Sequence, residues 1–519
     1  NGAYLMNSGS TLRVVGVSAL NGQLTVANSF TNNGTIELTS SGAATAATLA
    51  VTNGTLTNAT GATISSLAGS GGARNLNAKL DNQGTITVAQ AMTTNKASVA
   101  HVNSGTINLT TGDYTILIST TSPSFTTTGT INVPAGRTLT FQGGVTGGAN
   151  QNFNYNGGTM GGAGTIALLN SQLNLNVALA SDVAILSGTT STLAGPQTYT
   201  VKSGTTVSMN NCDINGVVNV DNGGTFALVN CGGSGTLNTN GLVEYTGANT
   251  LTGATPLVTS GGSVLRLKGI AGLNAALTCT NGFTNNGTIE LTSSGAGTAA
   301  TLTVTNGTLT NVAGATIQSL AGSGGGRNLN AKLDNQGTIT VAQTMTTSKA
   351  SVAHVNSGTI NLTTGNYTIV ISTTAPSFTT TGTINVPAGR TLAFQGGVTG
   401  GAGQNFNYNG GTLGGAGTVA LLNSQLNVNQ PLHTASTHLT GTTSTLAGTD
   451  TLFADGGTVQ LSFQAMAGRS YTLLAAPVVN AEVWFSATNI PAASTNRNLS
   501  LSQPANGTQF YRLVTPAHP

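Results

Sequence analysis

Short runs of alternating apolar and polar residues, each opened by a turn, recur along most of the chain. In "GTIELT" at Gly34, Ile36 and Leu38 fall on one side of an extended backbone, and Thr35, Glu37 and Thr39 on the other. The same core, Gly-Thr-[Ile/Val/Leu]-x-[Leu/Val], returns in "NQGTITVA" at Asn82, "NSGTINLT" at Asn103, "TTGTINVP" at Thr127, "GAGTIALL" at Gly162 and "NGGTFALV" at Asn222. The preceding Asn-Gly or Gly-Gly pairs suit turns, because both residues tolerate positive φ. Each unit therefore reads as a turn followed by a short strand. No amphipathic helical period competes with it, and the Gly and β-branched content opposes helix. Many units are spaced by about 20 to 30 residues, the range of solenoid repeats.

A second, longer period overlies the first. Shifting the chain by 253 positions aligns Leu12 with Leu265, Phe30 with Phe283, His101 with His354 and Thr205 with Thr458 without a gap. From Phe30 to Asn176 the two copies differ at about 16 of 147 positions, so the segment is an internal duplication. The stretch "TNNGTIELTSSGA" occurs unchanged at Thr31 and at Thr284.

Short strands and tight turns also suit a sandwich or a propeller. A parallel β-helix fits better. Coil length varies without destroying the pattern, as insertions in a solenoid do. Aromatics are too few to fill a wide sandwich core, whereas thin coils need only stacked aliphatic side chains. An ungapped duplication is easily accommodated when each coil touches only its neighbours. The expected fold is all-β: a parallel β-helix with an internal 253-residue duplication, followed by a small C-terminal β-sandwich. The domain reading is 1–253, first long repeat; 254–460, second long repeat; and 461–519, the C-terminal module. At about 20 to 25 residues per coil, the solenoid should hold roughly 20 coils. At about 4.8 Å per coil this predicts a rod near 100 Å long.

The G-T-[IL]-x-[LV] strands, and "GLVEYTGANTLTGATPLVTSGGSVLRL" from Gly241, resemble the repeats of bacterial autotransporter passengers and filamentous-haemagglutinin-like adhesins. The resemblance covers about residues 1–460 and implies a secreted parallel β-helix. The tail differs. It holds the only tryptophan, Trp484, and the landmarks "GRSYTL" and "FYRL". It looks like a β-sandwich module that ends many bacterial surface proteins, with Tyr471, Trp484, Phe510 and Tyr511 as the expected core.

Composition narrows the function. Charged residues make up 5% of the 519 residues, against roughly a quarter in ordinary proteins. The hydrophobic fraction of 38% argues against disorder, which pairs low hydrophobicity with high charge. The net charge is +3, and the 15 basic residues are scattered, so no nucleic-acid face is expected. No apolar run reaches the roughly 18 residues of a membrane span. Asn1 begins neither a basic start nor an apolar leader, which fits a secreted chain whose signal has been removed and equally a cytosolic fragment. A surface of hydroxyls and amides suits an assembled extracellular structure better than a dispersed cytosolic one.

No catalytic constellation emerges, and no cofactor or metal is expected. β-Helix enzymes acting on polysaccharides gather carboxylates on one face. Here Glu37, Asp81 and Asp113 are far apart, Asp113 becomes Asn366 in the second copy, and Asp213 and Asp221 read as turn residues. His101 and His354 lie in copies of "ASVAHVNSGT" without a second His or Cys at ligand spacing. Thr-x-Thr patterns such as "TIT" at Thr85 suggest an ice-binding face, but irregular coil lengths should break its register. Cys212 and Cys231 are 19 residues apart, close to one coil, and form a candidate disulfide, while Cys279 aligns with Val26 as a core thiol.

Two classes remain: a structural protein, either a filament subunit or an adhesin stalk, and a polysaccharide-active enzyme. The first is preferred. Its partners would be copies of itself joined head to tail, with surface glycans a further candidate. Residues 1–17 lack a polar cap, and Tyr4, Leu5, Leu12 and Val14 are the expected apolar contacts with residues 461–519 of a neighbour.

Overall fold

A computed structural model of the chain describes residues 4–96, 98–119, 123–144, 150–180, 182–349, 351–372, 376–397, 401, 403–433, 438–449, 452–453, 458–476, 483–504 and 510–515. Among these residues there is no helix, 59% is strand, and the strands wind into a parallel β-solenoid of about 17 turns with a small antiparallel sheet after it. The parallel β-helix expected from the sequence is therefore the fold. The turns are fewer than the expected 20 because several coils are long: Thr130 faces Thr159, 29 residues later. The chain divides into two compact units, Asn1–Val258 and Thr259–Pro519.

In the first unit each coil contributes strands to three faces. On the first face, Thr11–Gly16, Thr35–Ser40, Thr63–Ser66, Thr85–Val88, Thr106–Leu109 and Thr130–Asn132 pair in parallel, one above the next. The register stacks Leu12, Ile36, Ile64, Ile86, Ile107 and Ile131 inward. Ile36, Ile64, Ile86 and Ile107 are fully buried. Each such side chain contributes about 1.5–3 kcal/mol relative to exposure. The second face begins with Gly22–Val26 against Ala47–Val51, and the third with Phe30–Asn32 against Leu56–Asn58.

The Gly-Thr signature has a steric cause. Gly84, Gly105, Gly129 and Gly158 stack at one corner. A Cβ on Gly105 would fall inside the van der Waals sphere of the Gly84 carbonyl oxygen, and one on Gly129 would do the same to Gly105. Glycine is kept there because successive backbones approach too closely for any side chain, even at ordinary φ.

Beside this column runs a ladder of asparagines. Asn32, Asn58, Asn82 and Asn103 are completely buried. The Asn32 amide donates to Asn58 Oδ1 at 2.8 Å, Asn58 to Asn82 at 2.7 Å, Asn82 to Asn103 at 2.7 Å, and Asn103 to Thr127 Oγ1 at 3.1 Å. Each amide also reaches a backbone carbonyl, Thr63 O at 3.0 Å and Thr106 O at 3.2 Å among them. The sequence pattern N-x-G-T thus joins a buried rung to a close-approach glycine. Read from sequence alone these asparagines are turn residues. In the fold they are core residues whose polar groups are satisfied by the neighbouring coil.

Aromatics do enter the coil. Phe125, Phe141 and Phe153 pack together, with centroids 5.1 Å apart for the first two and 3.9 Å for the stacked second pair. The second unit repeats all of this. Its ladder runs Asn285, Asn311, Asn335, Asn356, Thr380 at 2.8, 2.8, 2.7 and 3.0 Å. Phe378, Phe394 and Phe406 reproduce the cluster at 5.2 and 3.9 Å. The two long copies therefore follow the same coil path, each in its own unit.

The tail forms antiparallel sheets. Thr458–Ala465 pairs with Arg497–Pro504, and Tyr471–Ala476 lies between Phe485–Ile490 and Phe510–Val514. Its buried cluster is Ala465, Tyr471 and Ile490, with Phe463, Leu499 and Leu501 packed against it. Tyr471 meets Phe463 edge-on at 5.2 Å, and its hydroxyl accepts the Met466 N–H at 2.9 Å. Trp484 and Tyr511 are half-buried, and the side chain of Phe510 lies outside the described residues.

Candidate functional surfaces

The strands of the first described coil pair with the coil that follows. Among the described residues Thr11–Gly16 and Gly22–Val26 each pair on one side only, with Thr35–Ser40 and Ala47–Val51. Their inward Leu12, Leu24 and Val26 are only half-buried, whereas the equivalent Leu265, Leu277 and Cys279 of the second copy are 0% exposed. Of the four expected contact residues, Val14 is buried, Leu12 is half-buried, Tyr4 packs edge-on against Phe30 at 5.1 Å, and Leu5 is 82% exposed. The fold therefore places these four in the first described coil, with Leu5 exposed and Leu12 half-buried. Among the described residues of the tail, Val483 and Phe485 are the most exposed apolar side chains, at 62% and 63%.

Cys212 and Cys231, the candidate disulfide, are brought together at one corner as thiols. They belong to a corner ladder of a different kind. Ser191 Oγ accepts the Ser171 N–H at 3.2 Å, Cys212 Sγ the Ser191 N–H at 3.4 Å, Cys231 Sγ the Cys212 N–H at 3.4 Å, and Asn249 Oδ1 the Cys231 N–H at 2.9 Å. The residue before each rung from Ser171 to Cys231 is left-handed: Asn170, Thr190, Asn211 and Asn230 have φ between 46° and 52°. A small acceptor side chain is what this corner requires, and sulfur supplies it twice. Sequence spacing found the two cysteines. The partners Ser191 and Asn249 carried no signal of their own.

Three of the acids have structural partners. Glu37 pairs with Arg13, and Glu290 with Arg266 at 2.6 Å. Asp113 Oδ1 accepts the Thr138 N–H at 2.9 Å, and Asn366 does the same for Thr391 at 2.9 Å. An amide oxygen performs this task as well as a carboxylate, which explains why the second copy tolerates the exchange. Among the described residues no three His, Cys, Asp or Glu side chains are gathered where a metal ion could be held. No helix of the described residues is long and apolar enough to cross a membrane.

The threonine register corrects one expectation. Thr11, Thr35, Thr63, Thr85, Thr106, Thr130 and Thr159 stack in one outward column despite unequal coil lengths, because the extra residues are accommodated between strands. The neighbouring outward column is Arg13, Glu37, Ser65, Thr87, Asn108, Asn132 and Gly161, so a two-column Thr-x-Thr lattice is not formed.

Two buried basic residue types have internal roles. Arg74 is completely buried at the end of a strand, and its guanidinium donates to Gly71 O at 2.8 Å, Gly72 O at 2.8 Å and Leu67 O at 3.2 Å. The glycine-rich loop "LAGSGGAR" is wrapped around it, and Arg327 holds Gly324 O at 2.9 Å and Gly325 O at 3.0 Å in the second copy. His101 accepts the Leu80 N–H on Nδ1 at 3.1 Å, and His354 the Leu333 N–H at 3.2 Å. Burial pushes both imidazoles down to about 4, with the Lys96 and Lys349 backbones opposing and the Lys79 and Lys332 charges adding to the shift.

This gives a pH dependence of stability. Between pH 6.5 and about 4 the unfolded chain binds protons at these histidines and the folded chain does not. Their contribution is complete above pH 6.5 and is lost as pH falls through about 4. A shift of this size is worth on the order of 3 kcal/mol per histidine. Denaturant midpoints measured from pH 7 to pH 4 should fall, and the double variant His101→Gln, His354→Gln should show a clearly shallower slope. An unchanged slope would rule out the histidines as its source.

Comparison with protein-family models found no match, and comparison with curated proteins found none.

Proposed function

We propose that this protein is a non-enzymatic structural protein of the cell exterior, the subunit of a filament built head to tail. The observation that carries the reading is the solenoid itself: coil after coil of parallel strands with a continuous aliphatic stack inside and a threonine column outside, in a chain with 5% charged residues. The edge of a β-coil carries N–H and C=O groups and aliphatic side chains that another coil or sheet laid across them satisfies. The candidate covering element is the module at residues 461–519 of a neighbouring copy, with Tyr4, Leu5, Leu12 and Val14 beneath it. A contact between two different surfaces does not close on itself, so it propagates.

Further support comes from the surface. Outward positions are mainly threonine, asparagine and serine, and charged side chains are 5% of the chain. Such a surface suits a component of an assembly, since it provides little charge repulsion between copies. The likeness to autotransporter passengers and filamentous-haemagglutinin-like adhesins agrees with a bacterial extracellular location. Sedimentation velocity over a hundredfold range of concentration tests the proposal. Species that grow with concentration are expected, and a monomer throughout would refute it.

A further inference from the structure

We propose that Cys212 and Cys231 form a thiol–disulfide site that links two successive coils of the solenoid. This goes beyond the assembly reading and does not depend on it. The two residues occupy equivalent positions at one corner, 19 residues apart, and the sulfur of Cys231 already lies 3.4 Å from the backbone nitrogen of Cys212. Parallel coils place such equivalent Cα atoms about 4.8 Å apart, within the roughly 4.4–6.8 Å range that a disulfide spans. The sulfurs also hydrogen-bond to backbone carbonyls: Asn210 O at 3.3 Å from Cys212, and Met209 O and Val229 O at 3.2 and 3.3 Å from Cys231. No side chain stands in the corner ladder between one thiol and the other, because they are consecutive rungs.

The surroundings favour reaction here and not at the third cysteine. Both thiols are buried, but each follows an exposed asparagine, Asn211 and Asn230, so they lie one residue beneath the surface. Cys279 is 0% exposed on an inward strand position paired with Val304. Burial pushes its thiol up to about 12. Cys212 is shifted in the other direction: the hydrogen bond from Cys231 stabilises its thiolate and keeps Cys231 protonated. Cys212 is therefore the attacking sulfur.

The oxidant is a small-molecule disulfide, with oxidised glutathione as the probe. The Cys212 thiolate attacks one glutathione sulfur, forming a mixed disulfide and expelling a glutathione thiolate, which takes up a proton. Cys231 then gives up its proton and attacks Cys212 Sγ, expelling the second glutathione as a thiol. The protein loses two hydrogens and two electrons, and one glutathione disulfide becomes two thiols. The product closes a 19-residue loop between neighbouring coils, a link that constrains the unfolded chain.

The test uses the full chain. Reduced and glutathione-oxidised samples are unfolded in denaturant with an alkylating agent, digested without reduction and mapped by mass spectrometry. The reduced sample should be alkylated at all three cysteines. The oxidised sample should be alkylated only at Cys279 and should yield a cross-linked peptide pair carrying Cys212 and Cys231. Its thermal midpoint should rise and return to the starting value on reduction. In Cys231→Ser the second step is blocked, so a glutathione adduct should accumulate on Cys212. Three alkylated cysteines after oxidation, a cross-link that includes Cys279, or a cross-link between chains would each overturn the proposal.

Discussion

Replacing Asn82 with leucine should destabilise the first unit by about 3 kcal/mol, although the substitution is nearly isosteric and places an apolar side chain in a solenoid core. The residue is a middle rung of the buried ladder. It accepts from Asn58 at 2.7 Å and donates to Asn103 at 2.7 Å and to the Thr106 carbonyl at 3.2 Å. Leucine removes all three interactions and leaves one buried donor and two acceptors without their partner. Each orphaned group costs about 1–3 kcal/mol, partly recovered from the added apolar burial. The informative control is Asn132→Ala. Asn132 donates to Asn108 Oδ1 at 2.8 Å, a bond of the same chemistry, but on the exposed surface. That change should cost under about 0.5 kcal/mol. Guanidinium midpoints of the two variants measure the difference. Equal losses would mean that burial is not what gives the ladder its value.

Deleting residues 461–519 has the second large expected effect, and it acts on assembly. In the proposed joint this module covers the first coil of the next copy, so its removal should abolish concentration-dependent growth altogether. The solenoid coils should survive, because each is held by parallel pairing and an apolar stack of its own. Circular dichroism should retain the β spectrum while sedimentation reports a single small species. A truncated chain that still polymerises would exclude the module from the joint. Loss of the β spectrum would instead show that the module stabilises the solenoid.

The alternation of apolar and polar residues made the strands legible. Ile36 and Leu38 share one side by their period of two, and both are fully buried. The 253-residue register was equally plain, since an inserted residue would turn inward side chains outward. What sequence did not disclose depends on contacts between coils. Asn82 and Asn132 are the same residue type near similar glycines, yet one is a core rung and the other faces outward. Only the neighbouring coil decides which. Arg74 likewise reads as one scattered cation, and its role appears only when the loop from Leu67 closes over it. The number of turns was overestimated for a related reason: loops such as Leu67–Ala73 extend a coil without adding a strand to the stack. The cysteine pair was found from its one-coil spacing, but the serine and asparagine rungs on either side of it were not. Their chemistry is too ordinary to stand out in a chain so rich in both.

The central claim is that copies of this chain join end to end, and electron microscopy of the purified full-length protein at high concentration tests it most directly. The account predicts unbranched filaments with an axial repeat of one subunit. Separate particles of constant size, with no end-to-end contacts at any concentration, would contradict it.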